Sequence, residues 1–349
     1  MIRPITTIVT TLLLGSSLVT GTSAAAAEPS GPAIALPVIP ATSPLRELLR
    51  PGPGVHRQAH TALAAGRGDI TGDGRPDLVT VSTGTNQISV HAGTADGTGA
   101  FSSSTTIGTT GADRTWIGQG DLTGDGNRDI LTFATDGSMH IAAHSGTFDG
   151  TTTLNPEYTW STGWQAGSLW ALTDFVGRDP NDPTTLDGLA DILFRYSGDN
   201  GYYLYVNEGP DANGRPQLSN RGKLLDNMQA VTSMSIADVT ADGFPDLYMT
   251  FTDGSARLLD IFAELDSSGH WQAKFYTIQP TGVVAADTRT LTDVNGDGLP
   301  DLVIWHKATG TVTADLHSGL WNPATPSSLF DTAHERTLTT GWTGYRLAA

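Results

Sequence analysis

The sequence contains no cysteine, which excludes disulfides and lipid attachment through a cysteine. Basic residues are scarce, because 19 Lys and Arg stand against 36 Asp and Glu, for a formal net charge of −17. This acidity argues against DNA, RNA or an anionic membrane surface as a partner. Beyond the N-terminal residues, no apolar run is long enough to span a membrane and helical periodicity is almost absent. From these absences we expect an acidic, β-rich protein without disulfides.

The first residues have the features of an export signal. Arg3 precedes an apolar run that extends from Ile5 to Val19, and small residues continue to Ala27. Thr, Ser and Gly interrupt the run, so it is weaker than the roughly 20 continuous apolar residues of a membrane span. We therefore expect residues 1–27 to be a signal peptide and the protein to be secreted into the extracellular space.

The following segment is rich in proline. Residues 28–54 contain seven prolines, which is typical of an extended spacer rather than a packed element. We interpret this segment as a linker or a docking arm. The remaining residues, 55–349, are predicted to form one domain.

A ten-residue motif of the form DxTGDGxxDL repeats through this domain. Four intact copies occur at residues 69–78, 121–130, 238–247 and 293–302. A fifth, interrupted copy begins at Asp174 and ends at Ile192, with 9 inserted residues. Without the insertion, the first aspartates are spaced 52 to 55 residues apart, which is the size of a small supersecondary unit.

The residues between the motifs read as short β-strands. Each motif is followed by a β-rich run such as residues 78–81, then by a tight turn such as Asp136-Gly137, and then by another alternating run. Four short strands in each period describe the blade of a propeller, which buries both its faces only when blades stack around an axis. The predicted fold is therefore all-β: a β-propeller of four-stranded antiparallel blades, with five repeats in a closed ring.

The C-terminal residues leave one point of this prediction open. The segment TLTTGW at residues 337–342 is similar to TWSTGW at residues 159–164, which precedes the first strand of another blade. The tail therefore either pairs across the ring closure or marks a sixth, incomplete unit.

The repeated motif has the residue pattern of a calcium-binding loop. Side-chain oxygens at positions 1, 3, 5 and 9 and the carbonyl oxygen of position 7 are expected to converge on one point. Three carboxylates held so close repel one another unless a cation lies between them, and hard oxygen ligands suit Ca²⁺. The predicted ligands of the intact loops are Asp69, Thr71, Asp73, Arg75 and Asp77; Asp121, Thr123, Asp125, Asn127 and Asp129; Asp238, Thr240, Asp242, Phe244 and Asp246; and Asp293, Asn295, Asp297, Leu299 and Asp301.

Two alternatives accompany the calcium assignment. An EF-hand does not fit, because position 12 carries no acid and strands flank the loops. The simpler alternative is that the motifs are solvated acidic turns without a metal. The regular recurrence of four intact copies argues against this alternative. In the interrupted copy Asp174, Asp187 and Asp191 remain, so we expect about four calcium sites and leave a fifth open.

These features resemble a known family of repeats. The motif with its β run, followed by segments such as residues 205–209 (YVNEG) or 90–93 (VHAG), is similar to the FG-GAP or VCBS repeat of integrin α-subunit propellers and of many secreted bacterial proteins. The resemblance implies a calcium-binding propeller. Members of the family bind proteins or glycans or serve as accessory domains, so it implies no single function. The literal Phe-Gly…Gly-Ala-Pro signature is absent, and the expected blade number differs from that of integrins.

The sequence lacks the usual signatures of catalysis. It contains no GxSxG elbow, HExxH helix or glycine-rich phosphate loop. His56 and His60 are four residues apart, as are His140 and His144, but the second pair lies in a strand pattern and the first has no third ligand nearby. Surface histidines, rather than metal pairs, are therefore the interpretation. We therefore expect a non-catalytic module with lectin-like binding of a glycan or cell surface, although an active site on the ring axis stays open. The alternative is a protein-binding scaffold or targeting subunit of a larger secreted assembly, such as a toxin or hydrolase complex.

Two tryptophans in repeated TGW turns are candidates for ligand contact. Trp164 and Trp342 are predicted to lie in connections between blades, on the ring face opposite the calcium loops. There they would stack against a sugar or anchor a protein. Core packing between blades is the alternative for both.

Overall fold

The computed structural model describes residues 36–43, 68–94, 100–101, 104–165, 167–176, 186–265, 267 and 271–348. The predicted signal peptide, residues 1–27, and most of the Pro-rich segment lie outside these residues. Five four-stranded antiparallel sheets form the blades of a ring. The predicted five-bladed β-propeller is thus confirmed.

Each blade is described from its inner strand, next to the ring axis, to its outer strand. Blade 1 contains β20 (Tyr345–Ala348), β1 (Leu78–Ser82), β2 (Gln87–His91) and β3 (Thr105–Thr109). Blade 2 contains β4 (Arg114–Gly120), β5 (Asp129–Ala134), β6 (Met139–Ala142) and β7 (Tyr158–Ser161). Blade 3 contains β8 (Gly167–Thr173), β9 (Asp191–Tyr196), β10 (Gly201–Pro210) and β11 (Pro216–Leu225). Blade 4 contains β12 (Val231–Ala237), β13 (Asp246–Phe251), β14 (Ala256–Leu265) and β15 (Trp271–Gln279). Blade 5 contains β16 (Thr288–Thr292), β17 (Asp301–His306), β18 (Thr311–Asp315) and β19 (Arg336–Thr339).

Helical structure in the described part of the chain is limited to short 3₁₀ turns. They are Gly150–Thr152, Met228–Ala230, Pro326–Ser328, Thr332–His334 and Trp342–Gly344. None of the described helices has the length and apolar character needed to cross a membrane.

The C-terminal tail closes the ring. Strand β20 pairs antiparallel with β1, with Thr80 opposite Ala348 and Val81 opposite Leu347. The last residues of the chain thereby supply the inner strand of the first blade. The tail therefore pairs across the closure, and the alternative of a sixth, incomplete unit is wrong.

Buried apolar clusters fill the spaces between neighbouring blades. In β1, Val79 packs toward blade 2 and Leu78 packs toward blade 5. In β5, Ile130 packs toward blade 1, whereas Leu131 and Phe133 pack toward blade 3. Successive side chains of a strand point to opposite faces of its sheet. A blade covered on both faces therefore needs apolar residues at consecutive positions, which explains the short continuous apolar runs after each motif.

The described part of the Pro-rich segment lies along blade 3. Val38 exchanges backbone hydrogen bonds with Asp226, just beyond β11, with N···O distances of 3.1 and 2.8 Å. The Ser43 hydroxyl donates to the Leu224 carbonyl oxygen at 2.8 Å, and Leu36 and Ile39 pack against the adjacent core. Residues 36–43 are therefore part of the folded unit.

Candidate functional site

The repeated motifs lie at equivalent ends of the five blades. In blades 2 to 5 each motif joins the inner strand to the second strand, and in blade 1 it leads into β1. We call the loops formed by these motifs the metal loops, after the calcium sites predicted for them, and the side of the ring that carries them the loop face. The hairpin turns between second and third strands, and the connections between blades, lie on the other side, the turn face.

The position-9 aspartate organises each loop through backbone amides. In the second loop, Asp129 Oδ2 accepts from the amides of Leu122 and Thr123, both at 2.9 Å. Its Oδ1 accepts at 2.8 Å from the amide of His144, beyond the third strand of the blade. The same arrangement holds for Asp77 and Asp191. Asp301 accepts from the loop amide of Val294 and from the amide of His317 beyond the third strand. Position 9 was expected only as a calcium ligand, so this structural role is one that the spacing did not predict.

Positions 1 and 5 also receive amide hydrogen bonds. In the second loop, the two oxygens of Asp121 accept from Gly124 at 2.6 Å and Gly126 at 2.8 Å. Asp125 Oδ1 accepts from Asn127 at 2.8 Å. Gly126 has φ +84°, a conformation that allows the loop to curl around Asp121. The loop is thus held by its own carboxylates and backbone.

Burial and crowding raise the pKa of the position-9 carboxyls. Burial, the larger cause, and the neighbouring Asp125 raise the pKa of Asp129 to about 6. Burial and the two other loop acids raise the pKa of Asp301 to about 7. Burial raises the pKa of Asp246 well above its usual value, and Asp260 adds to the shift. Each loop therefore concentrates negative charge that a cation would relieve.

The fit of these loops to calcium rests on their donor chemistry. The position-3 hydroxyl oxygens of Thr123 and Thr240 are buried and have no hydrogen-bond partner among the described residues. Each lies in a loop that also carries carboxylates at positions 1 and 5, so the oxygen donors suit a hard cation. Within the same residues, however, no three acidic or histidine side chains form a group that could hold a metal ion. Calcium binding therefore stays a prediction.

The first loop differs from the others at position 7. The Arg75 side chain forms an ion pair with Asp73, with an Nη1···Oδ2 distance of 2.7 Å. Arg75 was expected to contribute only its carbonyl oxygen. Its guanidinium occupies one oxygen of the position-5 carboxylate.

The interrupted third loop keeps the same pattern of hydrogen bonds from backbone amides to its aspartates. Asp191 Oδ2 accepts from the amides of Phe175 and Val176, both at 3.0 Å. Asp174 and Asp187 accept amide hydrogen bonds at 2.7 and 3.0 Å, as positions 1 and 5 do elsewhere. The inserted residues lie outside the described part of the chain. Position 3 is Val176, so this loop lacks the side-chain oxygen that the other loops carry there.

Histidine and asparagine side chains connect the loops of neighbouring blades. His144 Nε2 lies 3.2 Å from the Ile70 carbonyl oxygen, and His317 Nε2 lies 2.9 Å from that of Val239. Asn207 Nδ2 donates to the Leu122 carbonyl oxygen at 2.9 Å. We call these contacts inter-blade latches. The interpretation of His144 as a surface residue is wrong, because the residue lies beyond β6 at a buried blade interface and is 6% exposed.

The structure places the two candidate tryptophans in inter-blade connections on the turn face, as predicted. Trp342 is 3% exposed and packs against His91 with a ring-centroid distance of 4.4 Å. Trp164 is half-buried against Phe194 and Tyr205, at 5.1 and 4.9 Å. The core-packing alternative therefore describes Trp342, and Trp164 belongs to an aromatic cluster between blades 2 and 3.

The structure contains a cavity on the ring axis, where the sequence left an active site open without naming any of its residues. It has a volume of about 580 Å³ and lies between the inner strands β4, β8, β12 and β16. Trp116 and Trp170 line it from β4 and β8, and Ser and Thr residues line it from β12 and β16. These strands lie far apart in the chain, so no local pattern indicated that their residues meet.

Comparison with protein-family models agrees with the repeated motif. Residues 69–132, which span the first metal loop, β1 to β4 and the second metal loop, match a family model. This segment is an FG-GAP-like repeat. The resemblance inferred from the sequence is confirmed there, and the FG-GAP-like segment has the same loop frame as the later repeats. No curated protein matches the sequence.

Among solved structures, the chain is similar to a lectin from Agrocybe aegerita, described as specifically recognising non-reducing terminal N-acetylglucosamine. The two chains are 19% identical, with a TM-score of 0.38. The match covers 78% of this chain and 65% of the lectin chain, which is less than two thirds of the lectin's length.

Proposed function

We propose that this protein is a secreted, calcium-stabilised, non-catalytic recognition module whose ligand is a glycan. The observation that carries the proposal is the axial cavity of about 580 Å³. Cavities of about 300–1,000 Å³ with a few polar groups are the usual sites of small ligands. Because strands enclose the cavity, it favours a small or extended ligand over the folded surface of a protein.

The carboxyl groups that line the cavity favour a recognition role over catalysis, because each of those described below has a partner within the protein. Asp287 lies 3.1 Å from His306 Nδ1 and 3.7 Å from Arg289 Nη2. Asp77 accepts backbone amides, and Asp174 Oδ2 accepts from the amide of Gly188. A glycosidase needs two carboxyl groups on either side of the scissile bond. The carboxyls that line this cavity instead have structural partners.

Calcium would stabilise the ring by neutralising the metal loops. In the second loop the residues that would hold it are Asp121, Thr123 and Asp125, with the carbonyl oxygen of Asn127. Asp129 would act mainly through the backbone amides that it accepts. The inter-blade latches join the loops of neighbouring blades. Calcium that orders one loop would therefore also help to order the loop of the neighbouring blade. Calcium thus supplies charge neutralisation here and takes no part in a reaction.

A glycan array tests the recognition role. The mature chain, applied in calcium, should bind a restricted set of glycans, and binding should weaken in chelator as the loops lose order. A chain that is folded in calcium but binds no glycan would contradict the proposal. Capture of a specific protein from the secreting culture, without any glycan signal, would support the scaffold alternative instead.

Titration with calcium tests the metal loops separately. Asp125→Ala should remove one site in calorimetry and lower the melting temperature in calcium. Asp331→Ala, a change of an exposed acid outside the loops, is the matched control and should leave the number of sites unchanged. Melting of the unmodified protein that is the same in calcium and in chelator would exclude a stabilising role for calcium.

A further inference from the structure

We propose that the axial cavity binds a neutral pyranose, with Trp116 as the ring on which the sugar stacks. This inference rests on the proposed glycan-binding role and assigns it to a site. It differs from the expectation drawn from the TGW turns, because neither Trp164 nor Trp342 lines the cavity.

Trp116 and Trp170 form an aromatic wall whose rings are set by glycines. A Cβ atom at Gly118 would lie 2.1 Å from the Trp116 ring, and one at Gly167 would lie 2.2 Å from the Trp170 ring. Each ring therefore lies directly against its glycine. Glycine is required at both positions for these rings to occupy the cavity wall.

Trp116 is the member of the wall that is suited to stacking. Trp170 is stacked on Phe133 at 3.6 Å and on Phe194 at 5.0 Å, so other rings already use its faces. Among the described residues, the ring contact of Trp116 is a T-shaped one with Phe133 at 5.6 Å. The side chain is also only half-buried. Trp170 therefore supports the wall, and Trp116 has ring surface available to a ligand.

The backbone of the aromatic wall is strained beside Trp170. Leu169 lines the cavity with φ +49°, a left-handed conformation that leucine rarely adopts. The pairing of β8 with β9 shifts register between Ser168 and Ala171, so Leu169 lies at an irregularity of the inner strand. Strained backbone of this kind is concentrated at functional sites.

The opposite wall offers hydroxyl groups. Ser235, Thr288 and Thr290 line the cavity, and within the described residues their side chains make no hydrogen bond. On the aromatic side, Thr173 of β8 also lines the cavity, is 8% exposed, and has a buried hydroxyl oxygen without a partner in the same part of the chain. A ligand that both donates and accepts hydrogen bonds would satisfy these hydroxyls.

The two walls together define the chemistry of the ligand. A pyranose presents C–H groups on its faces and hydroxyls at its edge, so it matches an aromatic ring on one side and hydroxyls on the other. The three cations that line the cavity are engaged. Arg289 donates to the Val284 carbonyl oxygen at 2.8 Å, Lys307 lies 5.3 Å above the Trp305 ring, and Arg128 interacts with the charges of Asp121 and Asp174. These contacts favour a neutral sugar over an acidic one.

Calorimetry with the full mature chain in calcium tests this site. The probes are neutral methyl pyranosides of the gluco, galacto, manno and 2-acetamido-2-deoxygluco series, together with any neutral glycan bound on the array. Trp116→Ala should weaken binding about tenfold because it removes the stacking ring. Trp321→Ala, at a half-buried tryptophan that lies outside the cavity and packs on Tyr276, should leave the affinity unchanged.

A second pair of variants changes side-chain shape very little, so that an effect on binding is not caused by misfolding. Thr290→Val removes one cavity hydroxyl with little change of shape and should weaken binding about fivefold. Thr337→Val, an exposed threonine of β19, is the matched control. Unchanged affinity in both Trp116→Ala and Thr290→Val would overturn the site while leaving glycan recognition intact. Absence of binding to every glycan would overturn the site and the proposed function together.

Discussion

His144 of blade 2 reaches the Ile70 carbonyl oxygen of blade 1, with an Nε2···O distance of 3.2 Å. Its Nδ1 accepts from the amide of Gly146 at 3.0 Å, so the proton is on Nε2 and is donated across the interface. The same contact joins blades 4 and 5 through His317, and Asn207 replaces histidine between blades 2 and 3.

Removal of an inter-blade latch should destabilise the ring. His144→Ala leaves the Ile70 carbonyl oxygen and the Gly146 amide without their partner, and should lower the free energy of unfolding by about 2 kcal/mol in urea denaturation. His144→Asn should restore part of the loss, since Asn207 makes the equivalent contact in blade 3. The control is His140→Ala in β6, and equal stability of the two alanine variants would contradict the latch.

The third metal loop should gain calcium affinity from one substitution. Val176→Thr supplies the missing position-3 oxygen with almost no change in side-chain volume. Calorimetry should then show stronger binding at one site than in the unmodified protein. Val239→Thr, the same change at position 2 of the fourth loop, is the matched control and should add no affinity. An unchanged titration of Val176→Thr would show that the third loop fails for another reason.

A buried carboxyl outside the metal loops should make stability depend on pH. Burial, the larger cause, and the charges of Glu335 and Asp331 raise the pKa of Asp315 to about 6, against the opposing effect of His306 and Arg289. Its Oδ1 is buried and has no hydrogen-bond partner among the described residues. Since the folded pKa exceeds the unfolded value, this carboxyl favours the folded state at low pH, and the contribution is lost as the pH rises through about 6.

Asp315→Asn should remove this dependence. At pH 8 the variant should be more stable than the unmodified protein by on the order of 2 kcal/mol, and the difference should shrink toward pH 4. The check is a series of melting curves of both proteins at fixed calcium, in which the titration of the metal loops is common to both. A difference that stays constant with pH would show that the Asp315 carboxyl does not titrate as described.

The ring closure should depend on Arg346. This residue of β20 donates to the carbonyl oxygen of Arg114, the first residue of β4, at 2.5 Å and to that of Gly111, just before blade 2, at 2.7 Å. Arg346→Ala should therefore lower the free energy of unfolding by about 2–3 kcal/mol, as expected for lost hydrogen bonds to a charged group. Arg336→Ala, at an exposed arginine of β19, should change it by less than about 0.5 kcal/mol. Similar melting of both variants would mean that closure rests on strand pairing alone.

The amino-acid sequence by itself determined the repeat and the type of fold. The spacing of Asp69 and its counterparts is a local property, and so is the apolar run after each loop, because strands and turns of this length depend on neighbouring residues. Five blades, the loops at one end of each blade and the position of the TGW connections followed from these patterns. Residues 69–132 could be recognised as a repeat for the same reason.

Only the tertiary structure decided which distant residues meet. Pairing of β20 with β1 joins the two ends of the domain, and two alternatives for the tail were equally compatible with local pattern. The contact between His144 and Ile70 crosses a blade interface, and the axial cavity collects residues from all five blades. Burial of Trp342 likewise depends on blades 5 and 1 closing around it. Such contacts depend on how the ring closes, and ring closure is a property of the whole chain that no single repeat contains.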